Sequence, residues 1–188
     1  DGTEVAAYLQ QRHVRVVRGL GFVPGLAIVR MGDDAATSRF LAAKQRYGDD
    51  IGVPVTVYPE TSATVLDRVR ALNDQRPTHG IIVQLPLEPG ELTDQVLCAV
   101  APVKDVDGLG PDSPFDTATP KAVLWLLAAY NIDLKDKSIA VVGQGRLIGR
   151  PLSDMLESSG HTVARLDVET SDLSAQVQAS DIVISATG

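Results

Sequence analysis

Lys44, Gln84 and the pair Asp105 and Asp107 are the side chains of this 188-residue sequence whose types and settings could do chemistry. Lys44 follows Phe40 by one helical turn, so an amine and an aromatic ring project from one face. A helix lysine is ordinarily just solvated, and periodicity alone favours that reading. Gln84 closes the apolar run of Gly80-Ile81-Ile82-Val83-Gln84-Leu85-Pro86-Leu87. Ile81, Ile82 and Val83 suit a strand buried on both faces, and Pro86 cannot donate to a sheet ladder, so the strand should stop near Gln84. Ligands of open parallel sheets bind at the carboxyl ends of strands, which puts Gln84 at the mouth of a candidate site. Asp105 and Asp107 flank Val106 in an extended or turning segment, so their carboxylates should point opposite ways. One of them could face a pocket, although loop acids are commonly solvated.

A second chemistry-bearing stretch is Gly143-Gln144-Gly145-Arg146-Leu147-Ile148-Gly149, between a strand pattern and a helix pattern. Glycines there let backbone N–H groups approach a pyrophosphate, whose charge a helix N-terminus favours. The spacing is one residue longer than the commonest dinucleotide fingerprint, and a tight turn without ligand is the competing reading. Asp167 ends the next strand pattern, where an acid can hold the ribose 2′-hydroxyl of NAD and repel the 2′-phosphate of NADP. A solvated loop acid fits that position equally well. His13, His79 and His161 are scattered without metal-ligand spacing, so no metal is expected. Cys98 stands alone in Val96-Leu97-Cys98-Ala99-Val100, which excludes an internal disulfide and reads as a buried thiol in a reducing compartment.

The elements that must position these groups follow from the pattern. The range 4–20 reads as an amphipathic helix with Val5, Leu9, Val16 and Val17 on its apolar face. A strand at 25–30, a turn at Gly32-Asp33-Asp34, and a helix capped by Thr37 or Ser38 and running to about Gly48 follow. Then come a strand at 53–58, a helix at 64–73, the strand at 80–84 and a helix at 94–100. Pro120 suits the first turn of a helix reaching Tyr130. The second half alternates a strand at 137–142, a helix at 151–158, a strand at 162–166, a short helix at 173–179 and a strand at 181–186. Strands alternating with helices predict parallel α/β layers in two domains. The boundary is expected at 118–122, giving an N-terminal α/β substrate domain at 1–120. A Rossmann-like nucleotide domain follows at 121–188 and looks incomplete at its C-terminus. The range 163–166 could serve as core or as a dimer edge, with core favoured. No internal repeat is visible. The formal net charge of −7 argues against a nucleic-acid partner, and no apolar run is long enough to span a membrane. A cytoplasmic protein is expected.

Taken together, these segments resemble the methylenetetrahydrofolate dehydrogenase/cyclohydrolase family. Residues 80–87 resemble its G-I-x-V-Q-L-P-L-P signature, with Glu88 at the last proline. Pro102-Val103-Lys104-Asp105-Val106-Asp107-Gly108 resembles P-x-K-D-V-D-G, and Thr119-Pro120 resembles the end of P-C-T-P. Gly143 through Pro151 resembles G-x-S-x-x-V-G-x-P, with Gly145 at the serine. The resemblance implies oxidation of 5,10-methylenetetrahydrofolate by NADP or NAD, then hydrolysis of the methenyl product to 10-formyltetrahydrofolate. It implies Lys44 as acid/base, Gln84 as its orienting partner and Asp107 as the pterin anchor. Phe40 and Pro86 would line the substrate site, with Phe40 in place of a family tyrosine and Thr37 in place of a serine. Residues 143–149 and Asp167 would hold the cofactor. Asp167-Val168-Glu169-Thr170, where NADP-using members carry a different segment, leans the reading toward NAD. The family's C-terminal G-G-V-G-P-M-T segment and final helix have no counterpart here, and the 108–120 connection is short. The resemblance also implies a homodimer. Two other readings are a shikimate-type two-domain dehydrogenase and a folate- or nucleotide-binding relative without turnover.

Overall fold

The computed structural model describes residues 1–32 and 35–187, the side chain of Ala36 apart. The expected turn at Gly32-Asp33-Asp34 therefore lies partly outside the described residues. The chain divides into two compact units, Asp1–Phe115 and Asp116–Gly188.

The first unit holds α1 (Gly2–Gly19), β1 (Gly25–Met31), α2 (Ala35–Ile51), β2 (Val55–Glu60), α3 (Val65–Asp74), β3 (Thr78–Gln84) and α4 (Leu92–Ala99). A short 3₁₀ turn, Pro102–Lys104, follows. Its three strands are parallel in the order β2-β1-β3. Alternate residues of β1 and β3 face opposite layers. Ala27, Val29, Ile81 and Val83 pack with Val65, Val69 and Leu72 of α3 and Val96 and Leu97 of α4. Ile28 and Ile82 pack with Leu41 of α2 on the other face. Burial on both faces is why β1 and β3 read as continuous apolar runs.

The second unit holds α5 (Ala118–Ala129), β4 (Ser138–Val142), α6 (Gly149–Ser158), β5 (Thr162–Leu166), α7 (Leu173–Gln178) and β6 (Ile182–Ser185). Its strands are also parallel, in the order β5-β4-β6. Ile139 and Val141 of β4 pack with Leu152 and Leu156 of α6, and Val163 of β5 joins that core.

Several expectations need correction. β2 begins two residues late and runs through Pro59 to Glu60. It is an edge strand, where a proline's missing N–H costs no ladder bond. Neither Thr37 nor Ser38 caps α2, because the helix already starts at Ala35 and Thr37 is buried within its first turn. Val16 is 54% exposed, since the half-buried stripe of α1 runs through Val5, Leu9, Val14 and Val17 instead. Cys98 is exposed rather than buried: Val96, Leu97 and Val100 take the inward positions of α4 and its end, which turns position 98 outward. No repeat is visible in the sequence, yet both units share one strand order with the first strand in the centre.

Candidate functional site

Three elements of the first unit bring their polar groups together. α2 carries Lys44, β3 ends on Gln84, and the segment after the 3₁₀ turn carries Asp107. The Lys44 Nζ donates to Gln84 Oε1 at 2.9 Å, across 40 residues of sequence. The Gln84 Nε2 donates to the carbonyl of Leu85 at 3.0 Å, which fixes the carboxamide with its oxygen toward the amine. Burial lowers the Lys44 amine from the ordinary lysine range, while the charge of Asp107 pulls it back up. Burial likewise raises the Asp107 carboxyl; Lys44 opposes that rise and Asp105 adds to it. A half-buried amine whose pKa is lowered parts with its proton more readily than an ordinary lysine, which is the direction an acid/base group needs.

The two acids have different partners. Asp105 is 4% exposed, and its Oδ2 accepts from the Gly110 N–H at 2.7 Å, so it serves the loop. Asp107 is the one placed to act on Lys44. Phe40 and Lys44 do share a face: both line an apolar cavity of about 350 Å³ with Leu26, Tyr47 and Val55. The Phe40 ring is 62% exposed, and Pro86, just beyond Gln84, is exposed as well. A larger cavity of about 530 Å³ between α1 and the end of α2 touches none of these polar groups.

Tyr47 is a lining residue that the sequence reading missed. Its hydroxyl lies 2.8 Å from His13 Nδ1 of α1, and burial raises its phenol above the usual range. The spacing of Phe40, Lys44 and Tyr47 along one helical face was the available signal.

In the second unit the turn from Gly143 to Gly149 follows β4, the central strand, and opens α6. Gly143 has φ of +94°, and a Cβ there would come within 3.0 Å of the Ala186 carbonyl. At Gly149 a Cβ would stand 1.6 Å from the Gly143 oxygen, so only glycine lets α6 start this close to the strand. At Gly145, by contrast, no described atom lies within 4 Å of that position. The turn is thus tight inside and open outside, with a helix N-terminus behind it, which fits a dinucleotide's pyrophosphate. Gln144 is tied to the Val141 carbonyl at 3.0 Å, Ile148 is half-buried, and Arg146 and Leu147 are exposed on the turn. Asp167 directly follows β5. Its Oδ1 accepts from the Glu169 N–H at 3.0 Å and from the Thr170 hydroxyl at 3.1 Å, which orients the carboxylate. Among the described residues no group of three or more His, Cys, Asp or Glu is placed to hold a metal ion. None of the described helices is long and apolar enough to cross a membrane.

Comparison with known proteins agrees with this geometry. The sequence model of the tetrahydrofolate dehydrogenase/cyclohydrolase catalytic domain matches residues 1–107, and that of the same family's NAD(P)-binding domain matches residues 117–188. The bifunctional protein FolD of Pelobacter propionicus is 36% identical over 204 residues, covering 100% of this chain and 72% of the relative. The crystal structure of FolD from Campylobacter jejuni, a methylenetetrahydrofolate dehydrogenase/cyclohydrolase, superposes with a TM-score of 0.93 at 31% identity, covering 100% of this chain and 73% of that one. The Trypanosoma brucei enzyme, solved with NADP and an inhibitor, gives 0.92 at 28% identity over 100% of this chain and 71% of its own. With both of its domains matched in order, this chain belongs to the tetrahydrofolate dehydrogenase/cyclohydrolase family.

Proposed function

We propose that Lys44 is the acid/base, Gln84 its orienting partner and Asp107 the pterin anchor of a bifunctional folate enzyme. The chain is an NAD(P)-dependent 5,10-methylenetetrahydrofolate dehydrogenase and 5,10-methenyltetrahydrofolate cyclohydrolase of one-carbon metabolism. The observation that carries the assignment of roles is the Lys44–Gln84 hydrogen bond of 2.9 Å, with the Asp107 charge acting on the same amine.

When bound, the nicotinamide supplies the acceptor for the electron pair of the C–H bond that breaks at the methylene bridge. The chain's own residues do the rest. Asp107 accepts from the pterin amine and a ring N–H, two donors matched to one carboxylate. Phe40 and Pro86 flank the folate. In the hydrolytic step the neutral Lys44 amine takes a proton from the water that attacks the methenyl carbon. The resulting ammonium returns a proton to N5 as the C–N5 bond breaks, leaving the formyl group on N10 and releasing one proton overall. Gln84 accepts an N–H of the amine, which turns the lone pair toward the attacking water.

Residues 143–149 hold the dinucleotide, and Asp167 sets its preference toward NAD, because an oriented carboxylate accepts a ribose hydroxyl and repels a 2′-phosphate. The protein works as a cytoplasmic homodimer. The test is an absorbance assay with 5,10-methylenetetrahydrofolate and each nicotinamide cofactor in turn. Formation of the methenyl band, at least as fast with NAD as with NADP, is the expected result. Folate binding without any methenyl signal would reduce the chain to a binding protein, and a strong NADP preference would remove the role given to Asp167.

A further inference from the structure

We infer that Lys104 is a positioning residue for the folate site, setting from the C-terminal end of α3 where the Asp107 carboxylate stands. The inference rests on the role given to Asp107 above. The Lys104 Nζ donates to the carbonyls of Leu72 at 3.1 Å, Asn73 at 2.6 Å and Gln75 at 2.9 Å. An ammonium has three N–H donors, and all three are engaged here. The acceptors lie at the end of α3, where the helix dipole favours a cation; the Leu72 carbonyl also accepts the Gln75 N–H, and the Gln75 carbonyl the Thr78 N–H.

The same helix end grips the chain a second time. The Asn73 Nδ2 donates to the Ala99 carbonyl at 2.7 Å, and its Oδ1 accepts from the Ala101 N–H at 2.9 Å. The segment is thereby fixed on both sides of Pro102. Beyond Lys104 four further contacts carry that fixed point to Asp107. Asp105 bridges to Ile81 of β3, the strand that ends on Gln84. The Asp105 carboxylate holds the Gly110 N–H, and its carbonyl accepts from the Ser113 hydroxyl at 2.9 Å. Val106 then passes over Gly80, where a Cβ would lie 3.0 Å from the Val106 methyls. Asp107 is suspended between these anchors and Gly108, whose φ is +69°. Displacement of Lys104 moves Asp107 relative to Lys44 and Gln84 while leaving both of those in place.

The test compares Lys104→Met, which keeps the apolar stem and removes the ammonium, with Asp107→Asn and with the double variant. The readouts are KM and kcat for hydrolysis of 5,10-methenyltetrahydrofolate, with thermal unfolding and NAD affinity as controls. Lys104→Met should raise KM about tenfold, as expected for a binding group moved by a fraction of an ångström, with NAD affinity unchanged. In the Asp107→Asn background the same substitution should add less than about twofold, because the group it positions is already disabled. Lys104→Arg, which keeps a cation on the carbonyls, should fall between wild type and Lys104→Met. A lowered unfolding temperature with unchanged KM, or effects that simply multiply in the double variant, would overturn the inference. If Lys104→Met does not fold, Asn73→Ala and Lys104→Arg carry the same comparison and must meet the same criterion. An unchanged KM in Asp107→Asn itself would instead overturn the folate-site assignment, and the inference with it.

Discussion

The two units build the same three-stranded arrangement and use it in opposite ways. In each, the chain leaves the central strand to one side and then crosses to the other, as the orders β2-β1-β3 and β5-β4-β6 record. Crevices form at the carboxyl ends of strands where such a reversal occurs. The first unit fills that region with side chains from separate elements: Lys44, Gln84 and Asp107. The second fills it with the backbone of one turn, closed by Gly143 and Gly149. A site made of side chains can lose its chemistry while the fold stands. A site made of backbone fails when a single methyl group is added.

That contrast can be broken experimentally. Gly149→Ala places a Cβ against the Gly143 oxygen at 1.6 Å, so the turn or the start of α6 must move. Cofactor-dependent oxidation should fall about 100-fold, while methenyl hydrolysis, which uses no nicotinamide, stays within about twofold. Parallel loss of both reactions would mean that the two halves are not separable. Asp107→Asn acts on the other half. Removal of a charge-assisted acceptor should raise KM for the folate about 10- to 100-fold. Its second effect has a definite sign. The Asp107 charge raises the Lys44 pKa, so its removal lowers that pKa further. Hydrolysis needs the neutral amine and rises with pH through the Lys44 pKa, so the acidic limb of kcat should move to lower pH in the variant. A shift to higher pH would contradict the pairing. Phe40→Tyr should have the smallest effect, raising hydrolysis by up to about fivefold, the worth of one ordinary hydrogen bond. A large loss would show that the ring already sits against the folate without room for a hydroxyl.

The halves also differ in how much of them could be read from the chain. The glycine turn is contiguous, so its spacing lies in one stretch of sequence and its flanking strand and helix are recognisable beside it. Strands β1 and β3 were legible for a related reason, since burial on both faces leaves an uninterrupted apolar run. Within the convergent site, the residue types at Lys44, Gln84 and Asp107 were visible individually. From residue type and spacing alone each had an ordinary reading as a solvated or structural group, and only the family resemblance joined them. Lys104 was passed over because its partners lie about thirty residues away on a helix end, and no local pattern marks a lysine that caps a distant helix. Cys98 and Val16 failed through helical phase: each sits among apolar neighbours, and the neighbours took the inward positions. At β2, a proline that would end a central strand is tolerated at an edge, so sequence placed the strand too early.

The most direct test of the acid/base assignment is hydrolysis of 5,10-methenyltetrahydrofolate by Lys44→Ala in the absence of any nicotinamide, with folding checked by thermal unfolding. A folded variant that still binds folate but has lost about 10²- to 10⁴-fold in kcat is the expected result, the usual contribution of a positioned acid/base. Wild-type hydrolysis by that variant would contradict the role given to Lys44 and leave the amine as a packed, hydrogen-bonded bystander.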